Sequence, residues 1–188
     1  MPGASPANAQ PRFSLTLTPT ADVCHLNGEP RFGFKLKILS QEDEVITVCL
    51  YKTPLKEIHG LGEIACVTNG EGEEAELPYI IGCWEHNDPF PDDLFFEEFK
   101  PGELHEEMFW LDKEDPATSQ SGELECLRAG TEYNVRISGE LLQSFSKWRR
   151  GAKEELLAGG LEKKKERWDA SSGKIHLDVS EPFMFRAI

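Results

Sequence analysis

Residues 124–137 read LECLRAGTEYNVRI, and the second half of this stretch decides the fold class. Tyr133, Val135 and Ile137 alternate with Glu132, Asn134 and Arg136. A period of two puts successive side chains on opposite faces of a strand, so the first set is expected on a buried face and the second in water. Leu127, Gly130 and Tyr133 stand at the spacing of a tyrosine corner, in which a Tyr hydroxyl near the start of a strand bonds back to the backbone a few residues upstream.

Working outward, the same alternation recurs. Phe13, Leu15 and Leu17 alternate with Ser14, Thr16 and Thr18, and Phe32, Phe34, Leu36 and Ile38 alternate with Gly33, Lys35 and Lys37. Val45 to Tyr51 (VITVCLY) is a continuous apolar, β-branched run that suits a central strand. Shorter strands are expected at Ile64 to Thr68, Leu77 to Gly82 and Leu104 to Leu111. The last strand is expected at Lys174 to Val179, extended past Pro182 by Phe183 to Phe185. The segment LRAGTEYNVRI resembles its counterpart in fibronectin type III and other immunoglobulin-like domains. The resulting expectation is a mainly β protein, an antiparallel two-sheet immunoglobulin-like sandwich with a helical insertion before the last strand. A small closed β-barrel is the alternative.

The chain has 188 residues, which suits one domain over 12–188, preceded by a disordered tail over 1–11. Insertions are expected at 83–100 and 139–172. With 34 acidic against 20 basic side chains, the formal charge is −14, so nucleic acid and anionic membrane surfaces are excluded as general partners. No apolar run is long enough to span a bilayer. Five cysteines without metal-type spacing, no leader-like N-terminus and no N-glycosylation sequon point to reduced thiols in the cytoplasm.

No phosphate-binding glycine loop, dinucleotide fingerprint, nucleophile elbow or zinc motif is present, so no cofactor and no metal are expected. What stands out is a cluster. Residues 77–110 hold eight of the eighteen aromatic side chains, and residues 71–107 hold thirteen acids against Lys100 alone. A single strand face cannot bury so many rings. The loop is therefore expected to fold over one end of the sandwich and to line an apolar pocket, with Tyr79, Trp84, Phe95, Phe96, Trp110, Trp148 and Arg149 as ligand-binding residues. The competing reading pins these rings to the sheet and leaves the acids in water. His86 beside Glu85 and Asp88, and His105 one face with Glu107, are the candidate proton-transfer groups. His86, Asp88 and Asp92 offer metal-ligand atoms, but at a spacing that matches no known motif.

Residues 139–168 carry eight bases against five acids. Leu157, Leu161, Lys164 and Trp168 would form one mostly apolar stripe of a helix over Ala152 to Trp168, and Gly159-Gly160 would divide it into two short helices. This basic insertion either packs on the acidic loop, docks an acidic partner or is simply solvated. Its segment KWRRGAKEELL, with Trp148, Gly151, Lys153, Glu154 and Glu155, resembles a W-x-x-G-x-K-E-E pattern in small uncharacterised single-domain proteins of filamentous fungi. That resemblance implies a fungal source. By analogy with small cofactor-free proteins of fungal secondary metabolism, the expected function is binding of an apolar small molecule with its cyclisation or isomerisation. The alternative is a non-catalytic module with a protein partner.

Overall fold

The computed structural model describes residues 10–57, 60–78, 90–113, 122–169 and 173–188. Eleven strands and three α-helices lie among them. The first sheet contains β1 (Arg12–Pro19), β3 (Phe32–Ser40), β7 (Leu104–Leu111) and β10 (His176–Val179), in the order β10-β1-β3-β7. The second contains β2 (Val23–Cys24), β5 (Ala65–Asn69), β8 (Glu132–Ile137) and β11 (Phe183–Ala187), in the order β2-β11-β8-β5. Their inner faces interlock through rings. Phe32 of β3 meets Phe185 of β11 at 4.8 Å between centroids, and Phe185 stacks on Tyr133 at 5.4 Å. The alternations foretold this core, since Phe13, Leu15, Leu17, Phe34, Leu36, Val135 and Ile137 are all buried.

The Tyr133 hydroxyl accepts a hydrogen bond from the Arg128 backbone N–H at 2.8 Å, so the corner expected from the sequence is made. The architecture is a sandwich-like packing of sheets with no closed barrel, but it is not the expected pair of antiparallel sheets. A third sheet, β6-β4-β9, is built from β4 (Ile46–Cys49), β6 (Phe96–Phe99) and β9 (Trp148–Arg150). It closes one end of the core, where Phe13 meets Phe99 at 5.0 Å and Phe145 at 5.9 Å. Two of the pairings are parallel, β1 with β10 and β11 with β2.

Several boundaries differ from expectation for local reasons. Residues 174–185 are not one extended strand but β10 in the first sheet and β11 in the second. Ser180 anchors the crossover, its N–H bonding to the Leu15 carbonyl and its hydroxyl accepting from the Leu17 N–H. Pro182, which has no N–H to give a ladder, follows directly. Within the insertion expected at 83–100, Asp93–Phe95 is a single 3-10 turn leading into β6. Trp148 to Arg150, read as the head of a helical insertion, is a strand because Val48, Thr47 and Ile46 of β4 supply a ladder for it. Leu77 and Pro78 are not strand, and 79–82 lie outside the described residues.

The insertion forms α1 (Gly139–Gln143), α2 (Lys153–Leu156) and α3 (Leu161–Asp169). Gly159, at φ 93°, takes the left-handed conformation that ends α2's turn and splits the helix. The expected stripe is broken by that split: Leu157 and Trp168 are buried, whereas Leu161 is exposed. Among the described residues, no helix is long and apolar enough to cross a membrane.

Candidate functional site

Tyr79, Trp84 and His86, with Asp88, lie outside the described residues. The other expected pocket residues fall on different strands and turns. Phe96 is 1% exposed and belongs to a small apolar cluster with Cys49, Leu157 and Trp168. Its ring meets Trp168 edge-on at 4.7 Å and stacks on Phe90 at 5.5 Å. The loop and the insertion thus bury one another where a cavity was expected between them. Trp148, 6% exposed, belongs to the main core and donates its indole N–H to the Gly173 carbonyl at 3.0 Å. Arg149 donates to the carbonyls of Arg167 and Trp148, and its guanidinium lies over the Trp168 ring at 5.5 Å. Phe96, Trp148 and Arg149 are therefore packing and strapping residues rather than walls of one opening.

Trp110 lies on the outer face of the first sheet. It covers Gly33, its register partner, and carries the Arg31 guanidinium over its ring at 4.8 Å. Arg31 is held in turn by a two-pronged ion pair to Asp112. The strand does place His105 and Glu107 on one face, opposite Ile38 and Leu36. The His105 ring lies against Phe99 at 4.5 Å and its Nε2 is buried without a hydrogen-bond partner, while Glu107 is exposed.

Among the described residues, a groove of about 520 Å³ lies at the end of β4. One wall is the turn that follows β4. Thr53 ties this turn together: its hydroxyl donates to the Leu50 carbonyl at 2.7 Å, and its own carbonyl accepts from the N–H groups of Lys56 and Glu57. Pro54, with its preset φ, suits the position after it. The other wall is α1 with the Ser144 to Lys147 segment. Ser138 ties α1 to the 61–63 turn. Its hydroxyl caps α1 by accepting from the Leu141 N–H at 3.0 Å and donates to the Glu63 carbonyl.

The groove is layered. Cys49, Ser144 and Glu63 are buried at its floor, and Glu57 is half-buried, with Oε1 sealed from solvent and without a hydrogen-bond partner. Lys52, Gln143, Ser146 and Lys147 are exposed at its rim. Tyr51 forms an aromatic side and is buttressed edge-on by Phe95 at 5.0 Å. Phe95, one of the residues expected to bind a ligand, thus supports a ring of the groove. Burial pushes the Cys49 thiol up, outweighing the lowering by the Tyr51 backbone and Lys147, so the floor holds no activated thiolate. Lys52 adopts φ 56°, a left-handed conformation that a non-glycine residue holds at some energetic cost and that recurs at functional turns.

No cluster of three or more metal-ligating side chains occurs among the described residues. The groove residues escaped the sequence reading because they come from two segments, 49–63 and 140–147, that are distant in the chain. The signal was there in part: Lys52-Thr53-Pro54 after an apolar strand marks a structured turn. Compared with known proteins, the chain matches no protein-family model and no curated protein.

Proposed function

We propose that the protein is an immunoglobulin-like β-sandwich that binds a small molecule in the groove between the 50–57 turn and α1. The groove itself carries the reading: an opening of about 520 Å³ falls within the range of small-molecule sites. Its lining sets polar side chains beside Tyr51 and Pro54, the mixture usual in such sites.

Strand order supports the fold. β1, β3 and β7 lie side by side as strands A, B and E of an immunoglobulin sandwich do, and β5, β8 and β11 as C, F and G. The strand equivalent to F is then β8, the one that carries the tyrosine corner. On this assignment the groove lies between the B–C and F–G connections, the end at which variable domains carry their binding loops. This is an analogy of fold and supports the place of the site, not the ligand.

The lining alters the ligand from the wholly apolar molecule expected to one with polar ends, since Tyr51 and Pro54 share the groove with carboxylates, hydroxyls and ammonium groups. Within this reading a cofactor-free cyclisation or isomerisation belongs to the same groove, where Glu57 and Glu63 would steer charge on a held conformer. The rival, a protein-interaction module, has weaker footing. The exposed apolar residues Leu104, Val179 and Met184 sit on three different strands, and singly scattered apolar residues are ordinary.

A thermal-shift screen of small metabolites tests the proposal with the plug variant Ser146→Trp, an exposed rim substitution that fills the groove without touching the core. Compounds that raise the midpoint of the parent protein should leave the plugged variant unmoved. Equal shifts in both proteins, or no shift from any compound, would overturn the assignment.

A further inference from the structure

We infer that the outer edge of β7 is a self-association edge held shut by one side chain: Glu107 keeps a second copy of the chain from pairing there. This stands apart from the groove and its ligand. β7 ends the order β10-β1-β3-β7, and among the described residues no strand pairs with its outer side. At eight residues it is the longest strand to end a sheet, against two to five for β2, β5, β6, β9 and β10. A very short edge offers a second chain few bonds, whereas a long one is a template for it.

The rows of side chains show what opposes pairing. On the core-facing side, His105, Glu107, Phe109 and Leu111 stand opposite Ile38, Leu36, Phe34 and Phe32, all at most 3% exposed. Alternation calls for an apolar side chain at position 107, yet an exposed carboxylate stands there. Glu106, on the outer face, lies 3.4 Å from Lys37 and 4.0 Å from Lys35. Glu107 has no such cation among the described residues. An inward-pointing charge of this kind is one way in which edges are kept from pairing.

Two copies meeting antiparallel bring together residues of the same face. The two registers that pair most of the strand are then centred on Glu107 and on Met108. The first sets Glu107 directly against its copy, roughly 5 Å apart at Cβ, and the second sets the two on a diagonal, roughly 7–8 Å apart. Like charges placed opposite each other destabilise a strand pair, and the −14 charge of each chain adds to the repulsion.

Sedimentation equilibrium of the full chain tests the inference with Glu107→Val and Glu107→Lys. Glu107→Val should form dimers at a concentration at least about tenfold below any at which the parent does. Glu107→Lys alone should stay a single chain, because two ammonium groups repel as two carboxylates do. Mixed with the parent it should form a one-to-one pair, since the new ammonium then faces Glu107. Hydrogen exchange should place the new protection on residues 104–111. Glu107 is exposed, so neither substitution should lower the thermal midpoint, which checks that both variants fold. The inference falls if the parent itself dimerises through residues 104–111, if folded Glu107→Val stays a single chain, if the mixture forms no pair, or if association leaves residues 104–111 unprotected.

Discussion

Gly33 illustrates how one residue can be dictated from across a sheet. A Cβ added there would overlap the Phe109 carbonyl oxygen and approach the Trp110 ring to 2.8 Å. Gly33→Ala is therefore expected to destabilise the fold by about 2 kcal/mol or more, read from the urea midpoint, because backbone cannot yield as a flexible side-chain tip can. His105 works in the opposite sense. Its Nε2 is buried without a partner against Phe99, and such a group costs roughly 1–3 kcal/mol. His105→Phe should raise the midpoint if the ring serves only packing.

Cys24 is fully buried, and burial pushes its thiol from 9.0 up to about 11. The unfolded chain loses this proton near 9.0 while the folded chain keeps it to about 11, so the contribution is complete below 9.0 and is lost as pH rises between these values. Stability should fall by on the order of 2–3 kcal/mol across that window, and Cys24→Val should flatten the fall.

At the scale of elements, the insertion shows how side chains from elsewhere make short helices viable. A four-residue helix has no cooperative stability of its own, yet α2 is held at both ends. Glu98 accepts from the Lys153 N–H at its start at 2.5 Å, and Arg167 donates to the Leu156 and Ala158 carbonyls at its end at 3.0 and 2.6 Å. Lys164 adds an ion pair to Asp93 at 2.9 Å, so the basic insertion and the acidic loop clasp one another. Trp168→Ala should open the small cluster around Phe96. It is expected to cost about 3–5 kcal/mol if the insertion unfolds together with the sandwich. Hydrogen exchange would show whether residues 153–169 instead open alone, a local unit with its own lower stability. Ser138→Ala, which removes the α1 cap and the tie to Glu63, should cost about 1–2 kcal/mol and weaken any groove ligand with it.

For the whole molecule, a formal charge of −14 sets a long-range self-repulsion that salt screens. The thermal midpoint should therefore rise between about 10 and 150 mM sodium chloride. A fall would show that ion pairs such as Arg150 with Glu42 and Glu44 outweigh the repulsion.

Periodicity alone marked the sandwich, because alternate burial writes itself into β1, β3 and β8 one residue at a time, and the Gly130 to Tyr133 spacing marked the corner. The split of α2 from α3 was equally legible, since Gly159 is a local instruction. What the chain could not display was pairing. The parallel seats of β10 and β2, the recruitment of Trp148 to Arg150 as a strand, and the third sheet depend on partners distant in sequence. The same holds for the site. Phe96 and Trp148, which looked like pocket walls, were taken up by two packed clusters, where burial is favourable. The groove arose instead where Ser138 draws the 61–63 turn against α1. Composition and alternation act within a few residues, whereas a concave surface is made by elements that meet only when folded, and so tertiary structure alone decided where this protein offers one.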